Sequence, residues 1–331
     1  MKKLLKGLIG VAIAATVSSA ADYTIKVSHV VNANTPKGKA ADFFAKRVGE
    51  LTNGTVKVDV FPSAQLYKDE DVLRALQRGS NVQIAMPSLS VFTRITPEMQ
   101  LFDLPFIFRD KEHLYKVMDG AVGDKLKKKV ADKGFIAMEY WDAGFKNFSS
   151  SKKAILEPSD AKGQKFRSMS SKVLEEQFKA IGGNPQILPF SEVYSALQQG
   201  VVDAAENPYA NFYNSKFHEV QSSYTLTDHG YLGYLVIISK KFWDEFPANL
   251  KPLVTQAMRE ATIYEREEAA KDDETIFAAL KEYEANSKGK FKIYTLTDKQ
   301  KEAWRVAMEP VYKKFYDVIG EDLIKETIAT K

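Results

Sequence analysis

No cysteine occurs anywhere in the 331 residues. A chain without thiols forms no disulfide framework, so an ordinary hydrophobic core must hold it together. Histidine is scarce as well. The four residues His29, His113, His218 and His229 show no close pairing, and with no cysteine beside them they suggest no zinc cluster. The sequence also has no Gly-x-Ser-x-Gly elbow, no Gly-rich phosphate loop and no His-Glu-x-x-His pair. Carboxylate pairs such as Glu175-Glu176 and Glu267-Glu268 stand beside lysine or arginine on helical stretches. They read as solvated faces rather than as a glycosidase acid–base pair. Asp228-His229 has no nucleophile motif to serve and reads as local structure. The expectation is a protein without catalytic residues, metal or cofactor.

One apolar run stands out among the things that are present. Gly7 to Val17 is uncharged, follows Lys2, Lys3 and Lys6, and leads into Ser18-Ser19-Ala20-Ala21. A membrane helix needs about 20 apolar residues, so this run is too short to span a bilayer. A basic start, a short apolar stretch and small residues are the layout of a cleaved export signal. We therefore read 1–21 as a signal peptide and the remainder as a periplasmic product. Those residues carry three lysines and no acid, so removing them takes the formal charge from +4 to +1. In the rest of the chain acids and bases are interspersed, and nothing suggests a nucleic-acid footprint. Lys125–Lys129 and Lys152-Lys153 read as solvated faces.

Periodicity then sets the fold class. Tyr23 to His29 alternates as a strand. Thr35-Pro36 is a helix start, followed by Ala40, Phe43, Phe44, Val48 and Leu51 at helical spacing. Val56, Val58 and Val60 alternate as the next strand, which makes a right-handed strand–helix–strand unit. Further strands are expected at 82–86, 134–140, 164–168, 186–188, 201–205 and 231–239, with helices between them. Helices are also expected from Pro252 to about Ala285 and from Thr297 to Val318. Such alternation means α/β sheets covered by helices on both faces. About 310 residues without a flexible linker suggest two lobes joined by several crossing strands.

The segment from Tyr140 to Gly233 is the most informative. It holds Trp141, Phe145-Lys146, Lys162-Gly163-Gln164-Lys165-Phe166-Arg167, Phe190 to Gly200, Glu206-Asn207-Pro208 and Asp228 to Gly233. Before it come His29, Thr35-Pro36-Lys37-Gly38, Pro62 to Leu66, Pro87-Ser88 and Phe102 to Phe106. In this order, over nearly the whole chain, the pattern resembles the solute-binding proteins of TRAP transporters (tripartite ATP-independent periplasmic transporters), above all their DctP-type dicarboxylate branch. The resemblance implies a two-lobed α/β periplasmic binding protein, type II-like, with a ligand cleft between the lobes and long C-terminal helices. It implies a first lobe of 22–144 and 233–272, a second lobe of 145–232 and 273–331, and a long helix after Pro252 that spans both. Gly144, Gly230 and Gly233 flank the expected crossings and are candidate hinges.

By the same resemblance, Arg167 pairs with a substrate carboxylate and Asn207 also reaches the substrate. Where the sialic-acid branch carries a second arginine this chain has Asn147, which argues against sialic acid. A buried carboxylate needs a paired charge and full hydrogen bonding, and arginine's planar fork supplies two parallel bonds. A dicarboxylate needs donors at its other end, for which Lys146, Lys37, His29 and Ser88 are candidates. Trp141 and Phe190 are candidate apolar walls. The expected function is capture of succinate, fumarate or malate by cleft closure and delivery to membrane permease subunits by a monomeric protein. A 2-oxo or aromatic acid ligand, an exported α/β hydrolase and a sensor subunit are the competing readings.

Overall fold

Thr35 opens the first helix. Its hydroxyl accepts the Gly38 N–H at 3.2 Å, and Pro36 supplies a preset φ where no N–H is needed. That helix, Pro36–Leu51, joins β1 (Tyr23–Ser28) to β2 (Val56–Phe61), which pair in parallel. The structure, a computed structural model, describes residues 21–331; residues 1–20 of the expected export signal lie outside the described residues.

The other strands are β3 (Ile84–Ala85), β4 (Phe135–Ser150), β5 (Lys165–Ser168), β6 (Asn184–Ile187), β7 (Ala204–Asn207), β8 (Ser223–Ser239) and β9 (Lys292–Thr295). They form one mixed sheet in the order β2-β1-β3-β8-β4-β7-β5-β6, with β9 added beside β8. The long antiparallel strands β4 and β8 run through both ends of it. The late residues of β8 pair with β3, and its early residues pair with β9. The late residues of β4 pair with β7. Between these ends the β4–β8 register slips three times, at Ala137/Tyr140, Asp142/Gly144 and Lys146/Phe148.

Helices cover both faces, and strand alternation divides the core accordingly. At one end Leu235 and Ile237 join Leu76, Phe92, Phe102 and Phe135 on one face. Val236 and Ile238 join Val27, Phe44, Trp141 and Met258 on the other. At the far end Ala204 packs with Phe148, Phe166, Phe178 and Trp304, while the next residue, Ala205, packs with Phe212, Tyr224 and Leu280. A period of two makes neighbouring residues serve opposite layers.

The long helix Lys251–Asn286 begins in the cluster around Met258 and ends with Leu280 in the opposite half. The single helix expected over 297–318 is interrupted. Asp298–Met308 ends before Pro310, and a short helix Pro310–Lys313, a π-turn at Tyr316–Gly320 and a helix Glu321–Ala329 follow. Proline lacks the N–H and its ring clashes with the preceding turn, so the helical ladder cannot run through it. The break redirects the chain. Trp304 and Met308 pack against Phe148 and Phe178, whereas Val311, Phe315, Ile319 and Ile324 pack with Phe92, Phe102 and Leu126 at the other end. The segment 273–331, expected in the second lobe, thus packs with both ends of the sheet.

Candidate functional site

The carboxyl ends of the parallel strands converge on one cleft, the usual place for a ligand in an open α/β sheet. β5 ends with Arg167-Ser168, β7 ends with Asn207, and β3 leads into Pro87-Ser88. They border a cavity with about 450 Å³ of empty space, opening to solvent. Arg167, Phe190 and Asn207 form one wall of it, and Asp69, Glu70 and Ser88 face them from the other half. Leu232, Tyr234, Val30 and Val91 give it apolar surface.

Arg167 is only 4% exposed. Its Nε and Nη2 donate to the Leu188 carbonyl at 3.0 and 2.9 Å, which fixes the plane of the guanidinium and leaves Nη1 without a protein acceptor. Burial lowers its pKa to about 10, opposed by Glu70, Glu206 and Asp69, so the group stays cationic at neutral pH. The Phe190 ring lies 5.8 Å from the guanidinium carbon. Asn207 sits opposite Asn147 in the β4–β7 ladder, and its side-chain amide nitrogen is buried with no partner. An orphaned buried donor costs about 1–3 kcal/mol, a cost that a bound acceptor removes.

Four of the candidate residues stand behind this surface rather than on it. Lys146 is fully buried and paired with Glu206, which also accepts from His229 Nε2 at 2.7 Å and Gln177 Nε2 at 3.0 Å. Burial pushes the Glu206 carboxyl up, but Lys146 and His229 outweigh it and hold its pKa at about 2. Lys37 donates to the Met86 carbonyl at 3.0 Å, and its ammonium lies 3.5 Å from the centre of the Tyr234 ring. Burial lowers its pKa to about 8, against the pull of Asp69 and Glu265. His29 is 1% exposed with neither ring nitrogen partnered, and burial together with Lys37 drives its pKa to about 3. Trp141 belongs to the core, where its indole N–H donates to Thr262 at 2.8 Å. It is no wall of the cavity.

Sequence reasoning passed over Asp69, Glu70, Glu206, Asn211 and Tyr234, all of which line the cavity. Tyr234 could have been found, because it alternates with Leu232 along β8. Asp69 and Glu70 open the helix Asp69–Arg78, where acids are ordinary first-turn residues, so nothing local marks them. His229, dismissed as local structure, is a fully buried partner of Glu206.

The profile of the bacterial extracellular solute-binding proteins, family 7, matches residues 27–318. The chain belongs to this family. It is 41% identical over 328 residues to the C4-dicarboxylate-binding periplasmic protein DctP of Rhodobacter capsulatus, covering 98% of this chain and 96% of that one. A TRAP periplasmic solute-binding protein of Sulfurospirillum deleyianum, solved with succinate bound, is similar in structure at a TM-score of 0.92 and 67% identity, covering 94% of this chain and all of that one. The sugar-acid-binding protein DctPAm of Advenella mimigardefordensis, solved with galactonate, superposes at a TM-score of 0.89 with 30% identity, covering 94% and 98%. The fold is the two-lobed one of these TRAP solute-binding proteins. Family 7 is a family of extracellular solute-binding proteins.

Proposed function

We propose that this protein captures a C4-dicarboxylate (succinate, fumarate or malate) in the Arg167 cavity and presents it, from the periplasm, to the permease subunits of a TRAP transporter. One observation carries the reading. A buried guanidinium, its plane fixed by Leu188, stands in the same cavity wall as the unpartnered amide of Asn207. That pair suits a carboxylate, which needs a fork of parallel donors and further hydrogen bonds when it leaves water. The dicarboxylates named for relatives from Rhodobacter and Sulfurospirillum support the choice of ligand.

The lobes in this reading divide where the β4–β8 register slips, near Gly144 and Gly233. A ligand held by both walls then favours the closed arrangement by its differential affinity. Calorimetric titration with succinate and with butyrate tests the ligand class. Succinate is expected to bind far more tightly; equal affinities would exclude a site built for two carboxylates. A sugar acid is the competing ligand, favoured by the galactonate-bound relative. Galactonate belongs in the same titration series, and tighter binding of it would replace the dicarboxylate assignment.

A further inference from the structure

The walls of this cavity carry more carboxyl groups than cations before any ligand arrives. Three carboxyl groups line it, Asp69, Glu70 and Glu206, against the single guanidinium of Arg167. Lys146 stands behind Glu206 and Lys37 behind Tyr234. Arg167 answers one end of a dianion. Among the described residues the other end has no cation left, since Lys146 is committed to Glu206 and Lys37 is turned to the Met86 carbonyl.

Resting on the dicarboxylate reading, we propose that Asp69 takes up a proton as the ligand binds, so that the second carboxylate meets a neutral carboxyl group and affinity rises as pH falls. Asp69 is buried in the wall beside Ser88, whose backbone N–H donates to it at 3.1 Å. Glu70 lines the cavity next to it with Oε2 buried and unpartnered, and the unpartnered Asn207 amide faces the same space. The charged and titratable groups around Asp69 are Lys37 from the helix Pro36–Leu51, Glu70 beside it, and Arg167 from β5. Tyr234 from β8 stands close by as a neutral phenol, and His29 at the end of β1 is held neutral. Burial already raises the Asp69 pKa to about 6, opposed by Lys37 and the Ser88 N–H. A raised carboxyl gains its proton readily at neutral pH, and an arriving anion raises it further. Lys37, near 8, is mostly charged at pH 7, so most of the uptake there belongs to Asp69.

Succinate titrated into the full chain at pH 7 in two buffers of different ionisation enthalpy counts the protons. Between roughly half and one proton is expected per ligand, and Kd is expected to rise about three- to tenfold from pH 6.5 to 7.5. Asp69→Asn, neutral throughout, is expected to lose most of the proton uptake and most of the pH dependence, leaving only the share of Lys37. Glu70→Gln is expected to keep the uptake, which supports Asp69 even if Asp69→Asn fails to fold. Succinate binding to the wild-type chain with identical enthalpy in both buffers overturns the proposal. Uptake lost in Glu70→Gln and kept in Asp69→Asn overturns it too. Absence of succinate binding would instead refute the dicarboxylate reading itself.

Discussion

Arg167 remains a cation although the protein encloses it, because Glu70, Glu206 and Asp69 partly offset the cost of burial. Its two bonds to the Leu188 carbonyl orient the fork before a ligand arrives. Lysine in its place keeps the charge and loses the fork. Arg167→Lys is therefore expected to weaken succinate binding by about tenfold or more, which is about 1.4 kcal/mol. Arg167→Ala is expected to cost about 2–5 kcal/mol of binding, much of it from leaving the ligand carboxylate buried and unpaired. The lost bonds to Leu188 should lower unliganded stability by only about 1–3 kcal/mol. Dissociation constant and melting temperature measured on the same variants separate the roles. Affinity retained in folded Arg167→Ala would remove this residue from the site.

At the scale of elements, the crossing of β4 and β8 carries the most unusual chemistry. Lys146 on β4, Glu206 on β7 and His229 on β8 tie three strands together by one carboxylate. Buried pairs of this kind contribute little net stability, yet removing one partner costs about 3–5 kcal/mol. Lys146→Met is expected to destabilise the fold by that amount. Glu206 titrates lower in the folded protein than the ordinary carboxylate value of about 4.3. Its contribution is complete above that value and is lost as pH falls toward about 2. In Lys146→Met the carboxylate is left less compensated and gains its proton sooner. The deficit against wild type should thus shrink as pH is lowered from 7 to 4 in urea titrations. A deficit that stays constant with pH would mean Lys146 acts through packing alone. Lys146 was expected to face the ligand, and the reason for the miss is physical. Register slips at Asp142/Gly144 and Lys146/Phe148 break the alternation that assigns a strand residue to a face. Gly144 closes the Asp142/Gly144 slip at φ +108°, in a backbone region that favours glycine.

Across the whole molecule the two halves already touch around the cavity. Lys68 pairs with Glu192 over the cleft, and the Thr93 hydroxyl donates to the Ser170 carbonyl at 2.8 Å. The Val173 N–H also donates to Gln100 at 3.3 Å, while the Lys68–Glu192 pair is open to water and contributes only about 0–1 kcal/mol. Ligand contacts to both walls should then decide between open and closed arrangements. Small-angle scattering is expected to show a smaller radius of gyration at saturating succinate than without it. An unchanged profile would mean that the ligand sits within one half.

Fold class, strand–helix alternation and the family motifs were legible in the sequence because each depends on local periodicity or on residues adjacent in the chain. Arg167 and Asn207 belong to that class, being parts of the short runs Gly163–Arg167 and Glu206–Pro208. Tertiary structure alone decided which neighbours met. Trp141 was claimed by Thr262, 121 positions away, and Lys146 by Glu206, 60 positions away. It also brought Asp69 to face a wall made by β5 and β7, and it returned the chain after Pro310 to the opposite half. Burial and the charge of distant neighbours set those environments, and neither is a property of any window of sequence.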